Sequence, residues 1–546
     1  MADDVLDRLA PSIEKHRGCD VIDINPGLGI FSSKLHERLK PRTHILLEPD
    51  HDMYQPLLQP LVDAPDSKYK LVPKSGLVWG HLETVLSKHY LPFQEAFVKD
   101  DPRLEQPNDT LLVVANLGFY PKKSYRGFAS LSTLVVHQFL SAVRSHSLFQ
   151  RYGHVRMMIW LSDEERGVII PRAIAHRRKS AIEAGISCEK ISEVASSTQD
   201  IGSVRREHDL DLDTGRKVLN KMEESGVGVP NGRESLLMEE ISKESTSDKP
   251  IDGDGIVFNY AFSKELADME ARFAAGEFKE LQDVTPSRPS SKTRRLQPLT
   301  PEFERLRMLR YRKTAEDRRV DRWLGFKEQY AAIMALQKEI HMQKADGKDT
   351  ELKQKEFEEK VEIWTDNVQG LAAGEIDSLH HMLDNRRTFT NDPPLLLWDR
   401  RDVEPLKVDA NEFYPMQELC LLDIHPKPLW PILRKDYPAN YDIFEYILSS
   451  MFVTPTQSIK KALKALYPGA YEWLIAECPS LTDPTKGGSL DLETITVRCI
   501  TEDMLREIVE AWMKWPFRPN RHELLSRMSS SFDPDALEPG ESRDTG

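Results

Sequence analysis

Between Asp20 and about Ser197, short apolar runs alternate with stretches in which apolar residues recur at three- and four-residue steps. The short runs predict strands at Asp20–Ile24, His44–Glu48, Tyr69–Pro73, Thr110–Asn116 and Val155–Leu161. The amphipathic stretches Ile30–Leu39, His81–Tyr90 and Ser132–Ser145 lie between them, each long enough to cross over and cover a sheet face. Strand alternating with helix in this way predicts an α/β fold with a doubly wound, mostly parallel sheet.

The pattern changes after that. From Ser196 to Asp254, and again from Thr285 to Gln297, polar and Pro/Gly/Ser residues dominate and aromatics are few, which predicts linkers. From Pro301 to Met382 apolar residues return at helical spacing, at Phe303, Leu306 and Leu309 and later at Phe357, Val361, Trp364 and Val368, predicting a long hairpin broken near Ala345–Asp349. A strand is predicted at Glu418–Ile424, and Tyr441–Met528 reads as helical. The organisation expected is a sheet core over 1–198, a mostly disordered insertion over 199–300, a helical insertion over 301–392, the last part of the core sheet over 393–430, a small all-α C-terminal domain over 431–528 and a disordered tail over 529–546.

Composition narrows the function classes. The net charge of −14 excludes a uniformly basic surface and leaves nucleic-acid contact to local clusters. The five cysteines (Cys19, Cys188, Cys420, Cys478 and Cys499) form no C-x-x-C pair, so neither a disulfide framework nor a metal site is expected. No run approaches the ~20 apolar residues of a bilayer span, which predicts a soluble chain with no membrane partner. The acidic start MADDVLDRL is unlike a presequence, and the first predicted strand begins almost at once, as it would in a chain lacking its natural N-terminus.

The chemistry-bearing motif is Asp20-Val-Ile-Asp-Ile-Asn-Pro-Gly-Leu-Gly29, an apolar strand running into a glycine turn and then a helix. Glycine there lets a ligand approach the backbone closely. Glu48 ends the second strand, roughly 20 residues later, where an acid can accept hydrogen bonds from ribose hydroxyls. A nicotinamide cofactor and S-adenosylmethionine both suit such a site. The phosphate-cradling G-x-G-x-x-G is absent, since Asn25 takes its first position and Phe31 and Ser32 follow Gly29, which favours the phosphate-free ligand.

The fourth strand runs into Ala115-Asn-Leu-Gly-Phe-Tyr-Pro121, where amine-directed methyltransferases carry Asn/Asp-Pro-Pro-Tyr/Phe. Together with Pro171–Gly185, with Phe413-Tyr-Pro415 before Leu419–Ile424, and with Phe444–Tyr467 and Ala511–Pro519, this segment resembles the ribosomal RNA adenine dimethylase family, most closely its fungal mitochondrial transcription factor branch. The resemblance implies an S-adenosylmethionine-type Rossmann fold. It assigns cofactor contacts to Asp23, Asn25, Gly27, Gly29, Glu48, Ser75 and Asn116. Asn116 would hold the target amine, and Phe119 and Tyr120 would stack on an extruded base. It also makes Arg172, Arg177, Arg178 and Lys179 border a nucleic-acid cleft.

The chain departs from the family at several points. The N-terminal polar-aromatic motif is missing, Ser75-Gly76 replaces an adenine-gripping Asp, and Gly118 replaces a rigid proline. These losses imply an eroded, vestigial cofactor site. The function expected is therefore a mitochondrial transcription initiation factor that binds nucleic acid and assists the mitochondrial RNA polymerase at promoters. The alternative is an S-adenosylmethionine-dependent rRNA adenine dimethyltransferase, and a third reading is an assembly factor whose insertion docks a partner.

The remaining features are weaker. The basic run from Arg288 to Arg322 fits a phosphate-binding face or an ion-paired helix equally. His380 and His381 read as surface residues, and Trp323, Tyr330 and Trp364 as packing.

Overall fold

A computed structural model describes residues 1–120, 123–124, 128–197, 206–245, 261–282 and 298–531. Its strands are β1 (Asp20–Ile24), β2 (Thr43–Leu47), β3 (Tyr69–Val72), β4 (Pro107–Asn116), β5 (His154–Ser162), β6 (Cys188–Ser196), β7 (Leu406–Lys407) and β8 (Leu419–Pro426). They form one sheet in the order β3-β2-β1-β4-β5-β8-β6-β7. Neighbouring strands run parallel except β8, which lies antiparallel between β5 and β6. This is the Rossmann-like methyltransferase fold that the sequence pattern predicts. The reversal of strand order between β1 and β4 creates a switch point at the carboxyl ends of those strands.

The helices α1 (Ala2–Ile13), α2 (Ile30–Leu39), α3 (His51–Asp63), α4 (Trp79–Val85), α5 (Leu131–Ser145) and α6 (Lys179–Ser187) accompany the sheet. Side chains alternate along the strands. Leu111, Val113 and Ala115 of β4 join the face covered by α4 and α5, while Leu112 and Val114 join the face covered by α1 and α2. No element is predicted before Asp20, yet α1 buries Val5, Leu6, Leu9 and Ile13 on the sheet. Ion pairs join α1 to α2 at Asp3–Lys34 and Asp7–Arg38. The helix α3 was also not expected, because Pro56 and Pro60 each remove a backbone donor; both sit on its exposed side, where the lost bonds face water. β6 and the two-residue β7 complete the sheet beyond the predicted strands.

Three helices occupy the stretch whose composition predicts disorder: α7 (His208–Glu224), α8 (Leu236–Ser245) and α9 (Ala261–Ala274). Residues 213–246 belong to the same compact unit as 1–200 and 386–546. The polar residues that suggest a linker are used in fixed contacts. Arg233 bonds Asp4 of α1 at 2.9 Å and Glu412 at 2.6 Å, while Val218 and Met222 are buried.

The helices α10 (Pro301–Ala345), α11 (Glu351–Gln369) and α12 (Ala373–Phe389) follow. Residues 201–212 and 247–385 form a second unit. Within it α10 and α11 make the predicted antiparallel hairpin, with the Tyr330 and Trp364 rings tilted against each other at 5.5 Å and Lys353 paired to Glu339. The N-terminal part of α10 packs against α9, with Phe303 near Phe273 and the pairs Arg305–Glu265 and Arg310–Glu270, each 2.7 Å.

These pairs decide between the two readings of the basic run. Lys313, Arg319 and Arg322 also meet acids, at Asp317, Glu316 and Glu375, and Arg312 lies 4.8 Å over Phe262. Arg305, Arg310, Lys313, Arg319 and Arg322 are thus ion-paired on the helix, while Arg307 and Arg318 are exposed. Arg288, Lys292, Arg294 and Arg295 lie outside the described residues.

In the first unit, α13 (Pro431–Arg434), α14 (Ala439–Met451), α15 (Ile459–Leu466), α16 (Ala470–Glu477), α17 (Pro479–Thr482), α18 (Glu502–Lys514) and α19 (Arg521–Ser531) share one apolar core around Trp512, Phe444 and Leu505. Ile174, Ile182 and Ile186 extend that core to α6. The expected tail begins inside α19, and 532–546 lie outside the described residues. No described helix is long and apolar enough to cross a membrane.

The strand β8 is fixed by a buried ion pair. Arg156 of β5 donates through Nε and Nη2 to both oxygens of Asp423 at 2.7 Å, and through its other contacts to Ser12 of α1. Burial works to raise the Asp423 pKa, but hydrogen bonds from His425 and Arg156 override it and hold the carboxyl well below its ordinary range. Arg156→Met leaves that carboxylate buried without its fork and is expected to cost about 3–5 kcal/mol in urea unfolding at pH 7. Because the folded-state pKa is depressed, the pair's contribution should be present above about pH 4 and fade as the pH falls below the unfolded value.

Candidate functional site

The switch point is built from four loops. After β1 the chain turns through Asn25, Gly27 and Gly29, with φ of 56°, 56° and 70°. Asparagine and glycine are the residues that tolerate this left-handed region. A Cβ on Gly29 would lie 2.8 Å from Leu58 Cδ2, so this glycine also lets α3 pack against the turn.

Glu48 follows β2 and is 3% exposed. Its Oε2 accepts from the Gly27 amide at 2.9 Å and its Oε1 from the Asp50 amide at 3.0 Å. Burial raises its pKa despite those two bonds. The acid thus braces the glycine turn from inside.

Asn25 faces the end of β4. Its Nδ2 donates to the Asn116 carbonyl and to the Tyr120 hydroxyl, both at 3.0 Å, while its Oδ1 is buried with no hydrogen-bond partner among the described residues. The Tyr120 ring packs on the α5-side core and is half-buried, and burial raises the pKa of its hydroxyl against the Asn25 bond. Ser75 also bears on that hydroxyl, and its Oγ accepts from the Leu77 amide at 3.3 Å. Gly76 beside it sits where a Cβ would be 2.7 Å from Ile24 Cγ2.

The Asn116–Tyr120 turn is held tightly. Asn116 Oδ1 accepts from the Gly118 amide at 3.3 Å, Leu117 N donates to Trp160 O at 2.9 Å and Ser132 Oγ to Leu117 O at 2.8 Å. A Cβ on Gly118 would fall 2.3 Å from Leu419 Cδ2. Any side chain at this position must therefore displace the Leu419 methyl of β8.

The structure gathers Asn25, Gly27, Glu48, Ser75, Asn116 and Tyr120, and leaves two predicted residues elsewhere. Asp23 is buried beneath the sheet, with its Oδ2 3.4 Å from His44 Nε2. His44 stacks with His36 and Tyr69, and burial together with His44 pushes the His36 pKa down to about 4. Phe119 packs into the α1–α2-side core with Trp160 and Phe413, on the opposite side from Tyr120, so the two aromatics do not form one stacking surface.

The predicted basic border is largely engaged. Arg172 bonds Glu193 at 2.9 Å and lies 4.0 Å over the Trp398 ring. Arg177 is buried and donates to the Arg498 carbonyl at 2.7 Å. Lys179 meets Glu445 at 3.0 Å and Ser449 at 2.9 Å. Arg178 is exposed. Neither Leu419 nor the Tyr120 closure carries a local sequence signal, since both depend on contacts with distant parts of the chain.

As arranged, two of the groups expected to hold S-adenosylmethionine are turned inward. Glu48, the acid suited to a ribose, is inaccessible and holds two backbone amides, and the Asn116 carbonyl is taken by Asn25. Among the described residues no cluster of His, Cys, Asp and Glu could hold a metal. All five cysteines are free and buried.

Residues 1–166 match the family model described as ribosomal RNA adenine dimethylase, so the resemblance read from the motifs holds for this part of the chain. Mitochondrial transcription factor 1 of Saccharomyces paradoxus is 22% identical over 158 residues, and that of Saccharomyces cerevisiae 23% over 158 residues. Each match covers 29% of this chain and 41% of the relative, so the chain spans about two-fifths of the curated relatives' length. A crystal structure of a dimethyladenosine transferase from Plasmodium falciparum aligns with a TM-score of 0.23 and 13% identity, covering 36% of this chain and 54% of that one. The fold assignment rests on the strand order rather than on that alignment.

Gly118→Ala is expected to cost about 1–3 kcal/mol through overpacking on Leu419. A double-mutant cycle by urea unfolding should show a smaller penalty for the same change in a Leu419→Ala background.

Proposed function

We propose that this chain uses a methyltransferase-like fold for binding rather than for methyl transfer, as a mitochondrial transcription initiation factor. Its partners in this reading are promoter DNA and the mitochondrial RNA polymerase. The observation that supports it is a switch point whose donors are turned inward: Asn25 donates to the Asn116 carbonyl and the Tyr120 hydroxyl, while buried Glu48 braces the turn and, of these groups, only Asn25 Oδ1 is left without a partner among the described residues. Groups that would grip a cofactor and a target amine are spent on each other. The likeness to mitochondrial transcription factor 1 supports the same direction.

A fold descended from one that accepts an extruded base suits melted DNA, in which bases are already unstacked. Phosphate contacts from exposed cations such as Arg178 would supply salt-dependent affinity. The location follows the same reading: a fusion of the full chain to a fluorescent protein is expected in mitochondria.

The second reading is an S-adenosylmethionine-dependent rRNA adenine dimethyltransferase. The match of residues 1–166 to the dimethylase family and the retained glycine turn favour it. Calorimetric titration of the full chain separates the two. No saturable binding of S-adenosylmethionine is expected up to millimolar ligand, while a promoter duplex with a melted bubble should bind with an affinity that falls steeply with salt. Saturable cofactor binding accompanied by methylation of adenine in RNA would establish the enzyme instead.

A further inference from the structure

A second charged site lies away from the switch point, within the same unit. A cavity of about 70 Å³ opens between α6, the 395–397 segment, Lys427 after β8 and the start of α18. By this measure one water needs roughly 10–15 Å³, so the space admits a small polyatomic ligand. Part of its wall is apolar, with Ile182, Leu396 and Leu505 among the residues.

The charges that line it are unbalanced. Arg177 is 7% exposed, and its hydrogen bond runs from Nη1 to the Arg498 carbonyl. Arg400 is half-buried and donates through Nε to the Pro394 carbonyl. Neither guanidinium has a carboxylate within ion-pair distance among the described residues. Glu502 is already committed: its Oε1 accepts from Lys427 at 3.2 Å and from Trp430 Nε1 at 2.9 Å. The other acid in the lining, Glu189, is exposed to solvent.

The field of Glu502 reaches both guanidiniums and that of Asp399 reaches Arg400, but no carboxylate bonds either one directly; each keeps a planar fork of donors suited to paired oxygens. Burial, with repulsion from Arg400 adding to it, pushes the Arg177 pKa down to about 10, so the group stays charged at neutral pH. We propose that this cavity binds a phosphoryl group, held by Arg177 and Arg400 with Lys427 at its edge. The enclosed volume suits free phosphate or a small phosphate monoester whose organic part meets the apolar wall. It does not suit a continuous polynucleotide backbone.

The test is thermal unfolding and calorimetry of the full chain at constant ionic strength, with inorganic phosphate, adenosine monophosphate or chloride. Saturable stabilisation by phosphate beyond chloride is expected, with binding at least tenfold weaker in Arg400→Gln. Tighter binding of the monophosphate would identify a monoester ligand, and tighter binding of phosphate the free ion. A wild-type response to phosphate and monophosphate equal to that of chloride overturns the proposal, as does an undiminished response in folded Arg400→Gln. If that variant does not fold, Arg400→Lys, which keeps the charge but loses the fork, must weaken binding severalfold, and unchanged binding there also overturns it.

Discussion

The paired hydrogen bonds between Arg156 and Asp423 join residues 267 positions apart and determine where β8 can lie. The sheet needs β8 as the antiparallel strand between β5 and β6, and every residue from 201 to 385 is inserted before it arrives. Loop-closure entropy rises only with the logarithm of length, so a long insertion is tolerable provided the returning strand is strongly specified. A one-residue slip of β8 would turn Asp423 onto the apolar face with Cys420, Leu422 and Ile424 and strand Arg156 without its partner. The pair therefore penalises the wrong registers more than apolar residues alone would.

The same register delivers Leu419 to Gly118. A side chain on the turn at position 118 would have to push Leu419 aside, and the glycine lets residues 116–120 lie close to this strand. Tyr120 then reaches Asn25, and the hydrogen bonds that could have served a ligand close on themselves. Geometry far from the switch point thus shapes its chemistry.

The parts of the fold legible in the sequence were those whose signal is local. Asp20–Ile24 and Ile30–Leu39 appear with the predicted bounds, because a doubly buried strand and an amphipathic helix declare themselves within a few residues. The helix α3 was hidden by prolines that an exposed helix face accommodates, and α7 and α8 by a polar composition whose charges find partners such as Asp4 and Glu412. At the site the turn and Glu48 were legible through spacing, but burial of the acid was not. Asp23 looked like a ligand contact only because strand alternation was not followed through to the face it shares with His44.

Charge was the least legible property, and for a physical reason. The dense run of arginines on α10 attracts attention in sequence, yet a helix with many cations can order itself by pairing them, as Arg305 and Arg310 do with Glu265 and Glu270. Density of charge along a chain measures how many partners are needed, not how many are missing. Arg177 and Arg400 belong to different elements and stand out only when their surroundings are counted: a cavity, a carbonyl for each, and an acid already taken by Lys427 and Trp430. A withdrawn cation with no directly bonded carboxylate is a stronger sign of an external anion than a crowded surface, because the folded state bears the desolvation cost and nearby acids such as Glu502 offset it only through space.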